Sequence, residues 1–284
     1  MTIRQETGTV MRLTGAEEGQ ITLSDDGFLS RGYVIDRGRI VFKFRKRPDT
    51  DYDGEIRILN ELQRLELGVN LQSVGWTAAD GSYLGLYGVL GQSLERTRLT
   101  MAQKQGVGQQ LGDFLRQLHV AVPEDMTVCS LADEIAAWQR RFLAGREILE
   151  THFTPGETAH MTAFVMDEVP ETLMGLGEKL VFSHGDLGDG NIYIDENGRV
   201  GVIDFNESGY LDEAADFMDI TDADICGVML DRYGADETLR RKVQIRRAVR
   251  PMFVIGTYAE LGEAAVEQFL RPLRAWLKER GTAL

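Results

Sequence analysis

The chain has 284 residues, 43% of them apolar, which is enough for one large domain or two lobes. Its formal net charge of −14 opposes binding to nucleic acid or anionic membranes and favours cationic partners. The two cysteines form no CxxC pair and the four histidines lack metal-ligand spacing, so no structural zinc is expected. The N-terminal sequence lacks a signal-peptide pattern and no apolar run is long enough to span a membrane, so we expect a cytoplasmic protein.

The first part of the chain reads as an N-terminal lobe, residues 1–90. Short β-branched and aromatic runs from Gly19 to Phe44 predict an antiparallel meander. Apolar residues at helical spacing predict a helix within residues 51–67, and the run from Tyr83 to Leu90 predicts another strand. An antiparallel sheet with one helix is therefore expected here.

The remaining residues, 91–284, read as a second and mostly helical lobe. It begins with a helix whose apolar face runs from Val107 to Leu118. The rest follows helical spacing except between Leu180 and Phe205, where apolar strand-like runs surround HGDLGDGN and DENGR. The predicted fold class is α+β, with a catalytic hairpin set in the helical lobe.

The predicted hairpin centres on Asn197-Gly198, a strong signal for a two-residue turn. With such a turn, Asn191 lies directly opposite Asp204 on the neighbouring strand. Opposed side chains share one face of a sheet, so an amide oxygen and a carboxylate converge. Mg²⁺ is commonly held by one or two such protein ligands, with water and phosphate oxygens completing its shell. The pattern predicts a Mg²⁺ site made by Asn191 and Asp204.

Asp186 precedes this hairpin in a glycine-rich loop. A carboxylate beside a metal suits phosphoryl transfer, in which the protein positions the attacking hydroxyl and accepts its proton. We therefore predict Asp186 as the catalytic base. In an alternative interpretation, His184, Asp186 and Asp189 only satisfy backbone groups of a tight loop.

Lys43 lies in the apolar strand VFKF, where a charged side chain needs an anionic partner. Glu55 points towards the core from the following helix, and a Lys43–Glu55 pair that also reaches nucleotide phosphates explains both charges. The alternative is a lysine extended to water and a solvated glutamate. The sequence of residues 26–31, which includes Ser30, predicts a loop whose backbone N–H groups lie over the phosphates. The same pattern also fits an ordinary hairpin loop.

Four motifs give the chain its resemblance to a known family. They are VFKF with GEIRIL following, LGDFLRQLH, HGDLGDGNI, and VIDFNESGYLDEAADFMDI. With these motifs the sequence resembles the aminoglycoside phosphotransferase family, whose members share a two-lobed protein-kinase-like fold. The resemblance implies that Asp186 is the catalytic aspartate, Asn191 and Asp204 the metal ligands, Lys43 the phosphate-binding lysine, and Glu55 its partner.

Further roles follow only from this resemblance. Backbone groups of Tyr87 and Val89 are expected to contact the nucleotide base, and Asp231 matches an acid-rich position that contacts substrate in some members. The segment after Asp204 lacks the long activation segment ending in APE that protein kinases use to present a peptide, so a small-molecule acceptor is expected. Gly209, Asp212 and Asp216 are expected to have structural roles.

The leading hypothesis is a kinase that uses ATP or GTP with Mg²⁺ to phosphorylate a hydroxyl of a small cationic molecule. An aminoglycoside antibiotic is favoured, which would make the protein a resistance enzyme. A metabolic kinase acting on choline, an amino sugar or a similar molecule fits the same motifs. A non-catalytic nucleotide-binding module is the third alternative, but the motif positions Lys43, Asp186, Asn191 and Asp204 are all intact.

Overall fold

The computed structural model describes residues 1–24, 29–47, 50, 52–259 and 262–281. The chain divides into two compact units, each built from three separate stretches of sequence. The first unit comprises Met1–Asp125, His184–Ser208 and Ile220–Tyr233, and the second comprises Met126–Ser183, Gly209–Asp219 and Gly234–Leu284. Within the described ranges, no helix has both the length and the apolar character needed to cross a bilayer.

Helices and strands follow one another in an order that agrees with an α+β fold. The helices are α1 (Ile3–Thr14), α2 (Asp53–Leu62), α3 (Met101–Leu118), α4 (Leu131–His152), α5 (Pro155–Ala163), α6 (Val169–Leu176), α7 (Ala223–Tyr233), α8 (Glu237–Ala259) and α9 (Glu263–Gly281). The strands are β1 (Ile21–Ser24), β2 (Ser30–Ile35), β3 (Ile40–Arg45), β4 (Asn70–Leu71), β5 (Ser73–Thr77), β6 (Tyr83–Tyr87), β7 (Gln92–Ser93), β8 (Leu180–Ser183), β9 (Ile192–Ile194), β10 (Val200–Val202) and β11 (Gly209–Asp212).

The first unit contains a five-stranded sheet in the order β1-β2-β3-β6-β5. All its neighbouring strands are antiparallel, which confirms the predicted meander. Tyr33 of β2 lies directly opposite Phe42 of β3, and both side chains are buried together with Val10 of α1. Side chains alternate between the faces of a strand, so Lys43, the next residue after Phe42, lies on the face away from α1.

Helix α1 was not predicted from the sequence. Thr2 and Gln5 form a capping box at its start. Inside the helix, the buried Glu6 carboxylate accepts two hydrogen bonds from the Arg31 guanidinium, at 2.9 and 2.5 Å, and a third from the Tyr33 hydroxyl at 2.7 Å. Burial would raise the pKa of Glu6, but these partners hold it below its ordinary value. Burial, together with the contact with Glu6, raises the pKa of Tyr33 to about 12.

A second sheet of the first unit has the order β4-β10-β9-β7 and contains the predicted hairpin. The observed register pairs Val202 with Ile192, one residue away from the predicted register, which is therefore wrong. The turn has three residues rather than two, and it closes with a hydrogen bond from Asp195 N–H to Arg199 O at 3.1 Å. The Asp195 carboxylate accepts the N–H groups of Asn197 and Arg199, and Gly198 takes the left-handed backbone at φ +76°. This side-chain cap favours the longer turn.

Helix α3 supports the same hairpin from the side of its turn. Gln110 accepts a hydrogen bond from Val200 N–H at 3.0 Å and donates one to Gly198 O at 3.0 Å. Gly108 and Gly112 of α3 leave room for Val228 and Arg232 of α7, because a Cβ atom at either glycine would lie within 2.8 Å of the opposing Cβ. The two helices therefore pack closely.

The second unit is mainly helical, with a core from α4, α6, α8 and α9. The expectation that strands end at Phe205 is wrong, because β11 pairs antiparallel with β8. Asp212, at the end of β11, is fully buried and accepts hydrogen bonds from Lys242 at 2.7 Å and Arg246 at 3.2 Å. Arg246 also donates to Glu134 at 2.5 and 2.8 Å. These polar contacts lie beside the apolar core and fix β11 against α8.

Candidate active site

The side chain of Lys43 lies between two carboxylates of the first unit. Its ammonium group is 2.6 Å from Glu55 Oε1 and 2.7 Å from Asp204 Oδ1. Burial would lower the pKa of Lys43, but Asp204 and Glu55 outweigh that effect and raise it, so the lysine stays charged. The alternative of a solvated glutamate is excluded, because the Glu55 side chain is only 1% exposed. Whether the pair binds nucleotide phosphates stays a prediction.

Asp186 and Asn191 meet within the glycine-rich loop. The Asn191 side-chain N–H₂ group donates to Asp186 Oδ2 at 2.9 Å and to the Asp186 carbonyl oxygen at 2.8 Å. The backbone supports this arrangement, since Gly188 N–H donates to Asp186 O and Asn191 N–H donates to Gly188 O, both at 2.9 Å. Because the amide nitrogen is engaged on Asp186, the amide oxygen of Asn191 is the atom that can face a cation.

The direct opposition of Asn191 and Asp204 predicted from the turn does not occur. Ile203 is opposite Asn191 instead, with its N–H group 3.0 Å from Asn191 O. In a regular ladder this shift would put Asn191 and Asp204 on different faces. However, the ladder ends at Val202, and Asp204 adopts the left-handed backbone at φ 68° and ψ 66°, which ends the strand alternation. This local conformation places the Asp204 carboxylate against Lys43.

His184 connects the glycine-rich loop with the backbone before Asp204, and the sequence reasoning gave it no functional role. Its Nε2–H donates to Ile203 O at 2.9 Å, while Nδ1 accepts from Asp186 N–H at 3.2 Å. One neutral tautomer satisfies both contacts. The ring is fully buried and packs against Phe205 at 4.5 Å between centroids. The HGD motif was the available signal, but its contact with Ile203 depends on the fold.

Asn191 and Asp204 have oxygen atoms of the type that Mg²⁺ prefers. No group of three or more His, Cys, Asp or Glu side chains suited to a metal occurs among the described residues. The site predicted from the sequence has only two protein ligands, one of them an amide, with nucleotide phosphates completing the shell. The donor chemistry of the two side chains therefore fits Mg²⁺.

The remaining predicted nucleotide contacts are more scattered. Ser30 and Arg31 belong to β2 and not to the predicted loop, and residues 26–28 lie outside the described part of the chain. The Ser30 hydroxyl bonds to the Tyr52 hydroxyl at 2.8 Å, which gives it a structural contact that the sequence did not indicate. Tyr87 ends β6 and is half exposed, and Val89 is buried two residues later. Their predicted contact with the base remains a prediction.

Two apolar residues that the sequence reasoning missed lie on the Lys43 face of the sheet. Val34 of β2 and Val41 of β3 are direct partners, and Val41 also pairs with Leu86 of β6. The alternation of side chains puts Val41 on the same face as Lys43. Sites for small molecules are lined mainly by apolar side chains, and the period of two along VFKF was the signal that could have placed Val41 on the Lys43 face.

Asp231 lies apart from these groups in sequence, on the exposed surface of α7 in the same unit. Asp231 interacts with other groups of the protein. A role in substrate binding remains a prediction that rests on the family resemblance.

The fold is that of kinase-like phosphotransferases. Residues 21–251 match the model of the APH family, described as a phosphotransferase enzyme family. This match covers most of the 284 residues, and the chain belongs to that family. It is therefore a small-molecule kinase with an alcohol group as acceptor.

Solved structures of several enzymes have the same fold. A GDP complex of an aminoglycoside 2'-phosphotransferase-IIIa variant aligns over 99% of both chains with a TM-score of 0.78 and 17% identity. A choline/ethanolamine kinase family protein from Mesorhizobium loti aligns over 98% of this chain and 95% of its own, with a TM-score of 0.70 and 16% identity. The macrolide 2'-phosphotransferase MphH from Brachybacterium faecium aligns over 93% and 96%, with a TM-score of 0.62 and 20% identity. The TM-scores establish the shared fold, whereas identities this low leave the acceptor open.

Proposed function

We propose that this protein transfers the γ-phosphate of ATP or GTP, with Mg²⁺, to a hydroxyl group of an aminoglycoside. The observation that carries the proposal is the placement of Lys43 between Glu55 and Asp204, in the same unit as the Asp186–Asn191 pair. This set provides a cation for phosphate, oxygen ligands for a metal and a carboxylate base, which phosphoryl transfer requires.

In the proposed mechanism, each side chain has one task. Lys43 binds phosphate oxygens of the donor, and Glu55 holds the lysine in place from α2. Asp186 orients the acceptor hydroxyl and takes its proton as the new oxygen–phosphorus bond forms and the bond from the γ-phosphorus to the departing nucleoside diphosphate breaks. Asn191 holds the Asp186 carboxylate by its N–H₂ group. When bound by Asn191 and Asp204, Mg²⁺ would neutralise charge on the phosphate groups.

A cationic acceptor is supported by charge and by comparison. The chain carries a net charge of −14, which attracts a polycation such as an aminoglycoside. The aligned structures include an aminoglycoside 2'-phosphotransferase. Choline and ethanolamine are also cationic, and the likeness to a choline/ethanolamine kinase family protein makes a metabolic amino alcohol the second candidate.

The test is phosphate transfer by the purified protein, with Mg-ATP and Mg-GTP in parallel. The acceptors are a panel of aminoglycosides, a macrolide, choline, ethanolamine and amino sugars. Turnover of an aminoglycoside is expected, and turnover only of choline or ethanolamine would replace it by the metabolic function. Turnover only of the macrolide would refute the proposal that the acceptor is an aminoglycoside.

Two variants test the assigned chemistry. Asp186→Ala should bind the nucleotide but lose transfer by about 10²- to 10⁴-fold, because the hydroxyl loses its base. Asp204→Ala should instead weaken Mg²⁺-dependent nucleotide binding. Full turnover by Asp186→Ala would refute its role, and unchanged metal dependence of Asp204→Ala would refute the metal site.

A further inference from the structure

The peptide group that joins Ile203 to Asp204 is held on both of its sides. Its oxygen accepts a hydrogen bond from His184 Nε2 at 2.9 Å. Its N–H group donates to Gln72 Oε1 at 3.3 Å. Both atoms belong to one planar unit, so this peptide can rotate only by breaking the two contacts.

The backbone at this point needs such support. Asp204 has the left-handed conformation, which is unfavourable for a residue other than glycine. Residues held in this conformation persist when the surrounding structure fixes them. The conformation also determines where the Asp204 carboxylate lies, since it ends the alternation of β10 just before the contact with Lys43. Rotation of the peptide would move that carboxylate.

Gln72 is suited to act as a fixed support. Gln72 is only 2% exposed and lies between the short strand β4 and the start of β5. Its own carbonyl oxygen accepts a hydrogen bond from Gln63 Nε2 at 3.0 Å, directly after the end of α2. Helix α2 also carries Glu55, the second carboxylate on Lys43. Gln72 therefore links the backbone of Asp204 with the helix that presents Glu55.

From these contacts we infer that Gln72 is a positioning residue for Asp204, acting through its backbone N–H group and without touching the substrate. The inference rests on the proposed function, in which Asp204 is a Mg²⁺ ligand. Loss of the Gln72 acceptor should leave the Asp204 N–H group unsatisfied and let the peptide turn. Supporting residues around metal ligands typically change metal affinity by about 10- to 100-fold when they are replaced.

The experiment measures nucleotide binding by calorimetry, with ATP and GTP, each in the presence of Mg²⁺ and in the presence of a chelator. For Gln72→Leu, which keeps the size and removes the acceptor, the Kd with Mg²⁺ should rise about tenfold or more. The Kd without metal should stay within about twofold, because Lys43 and its face of the sheet are intact. The ratio of the two Kd values isolates metal-dependent binding from general loss of affinity.

A matched control comes from the other end of the same hairpin. Gln110 also binds two backbone groups of this hairpin with its amide, near the turn. Gln110→Leu should lower the Tm and leave the ratio of Kd values unchanged. Gln72→Asn keeps an amide but is one methylene shorter, so it should shift the ratio like Gln72→Leu while being gentler on folding.

The outcomes separate this inference from the proposed function. If wild-type protein binds nucleotide equally with and without Mg²⁺, the metal role of Asp204 is wrong and the inference falls with it. If wild-type binding depends on Mg²⁺ but Gln72→Leu and Gln72→Asn keep the wild-type ratio, only the positioning role of Gln72 is refuted. A shift of the same size in Gln110→Leu would also refute it, since support of the hairpin in general would then explain the effect.

Discussion

Asp212→Asn removes the charge at the centre of the buried polar network of the second unit. The Asp212 carboxylate accepts hydrogen bonds from Lys242 at 2.7 Å, Arg246 at 3.2 Å and the backbone N–H of Lys179 at 3.1 Å. Arg246 keeps Glu134 as a partner in the variant, whereas the 2% exposed Lys242 loses the carboxylate that neutralises it. The substitution therefore leaves a buried ammonium group without its counter-charge.

The expected loss in the free energy of unfolding is about 3–5 kcal/mol, the usual effect of removing one member of a buried ion pair. A double variant, Asp212→Asn with Lys242→Met, should recover much of this loss, because it removes both charges and keeps the volume of the lysine stem. The two substitutions are in contact, so their effects should be clearly non-additive.

Equilibrium unfolding in urea measures these differences, and the pH dependence gives a second check. Burial would raise the pKa of Asp212, but Arg246 and Lys242 hold it below its ordinary value. Its stabilising effect is therefore complete above about pH 4 and fades as the pH falls further and the native carboxylate takes up a proton. The gap between wild type and Asp212→Asn should shrink over that acidic range. A single-variant loss under about 1 kcal/mol, or no recovery in the double variant, would refute the reasoning.

Three further substitutions test other parts of the first unit. Lys43→Met should raise the nucleotide Kd by about 10- to 100-fold, which corresponds to the free energy of one charge-assisted hydrogen bond. Calorimetry measures this Kd, and wild-type affinity in the variant would exclude phosphate binding by Lys43. Gly201→Ala should lower the free energy of unfolding in urea by about 1–3 kcal/mol, because the new Cβ would lie 2.0 Å from Val89 Cγ1, and an unchanged midpoint would mean that Val89 gives way freely. Glu6→Gln should lower the free energy of unfolding by about 1–3 kcal/mol. It should also bring the pKa of Tyr33 down from about 12 towards its ordinary 10, which ultraviolet absorbance titration measures. A Tyr33 pKa that stays near 12 would assign the shift to burial alone.

Local patterns in the sequence were enough to predict the ion pair at the candidate site. A charged residue inside the apolar strand VFKF indicated a pair with Glu55, and the structure confirms it. This prediction succeeds because an unpaired buried charge has a high energy. The catalytic role of the glycine-rich segment HGDLGDGN stays a prediction. The β1-β2-β3 part of the antiparallel sheet was predictable because these strands follow one another closely in sequence.

The register of the hairpin could not be predicted from Asn197-Gly198 alone. A two-residue turn is the commonest choice for that pair, but the Asp195 carboxylate caps a three-residue turn in its place. One residue of slip changes which side chains are opposed, so the predicted geometry at Asn191 was wrong even though the elements were right. The left-handed backbone of Asp204 then ends the strand alternation, so the register alone does not give the direction of its carboxylate.

Contacts between distant parts of the chain carried no local signal. Gln72 and Asp204 are 132 residues apart in sequence, and nothing around Gln72 distinguishes it from a solvated amide. Helix α1 was missed because its apolar stripe is short and its main anchor, Glu6, is a charged residue that sequence patterns assign to the surface. Both depend on tertiary partners.

The second sheet of the first unit has a consequence for synthesis on the ribosome. Its outer strands β4 and β7 are made early, whereas the central strands β10 and β9 emerge more than 90 residues after β7. At roughly 5–20 residues per second, a nascent chain that ends near Asp125 waits on the order of ten seconds for the stretch up to Tyr233 that completes the unit. During that interval β4 and β7 have no strands between them, which makes the nascent chain a natural client for chaperones that shield unpaired edges. A gene divided after the codon for Asp125 should accordingly yield two fragments that fold only when they are expressed together.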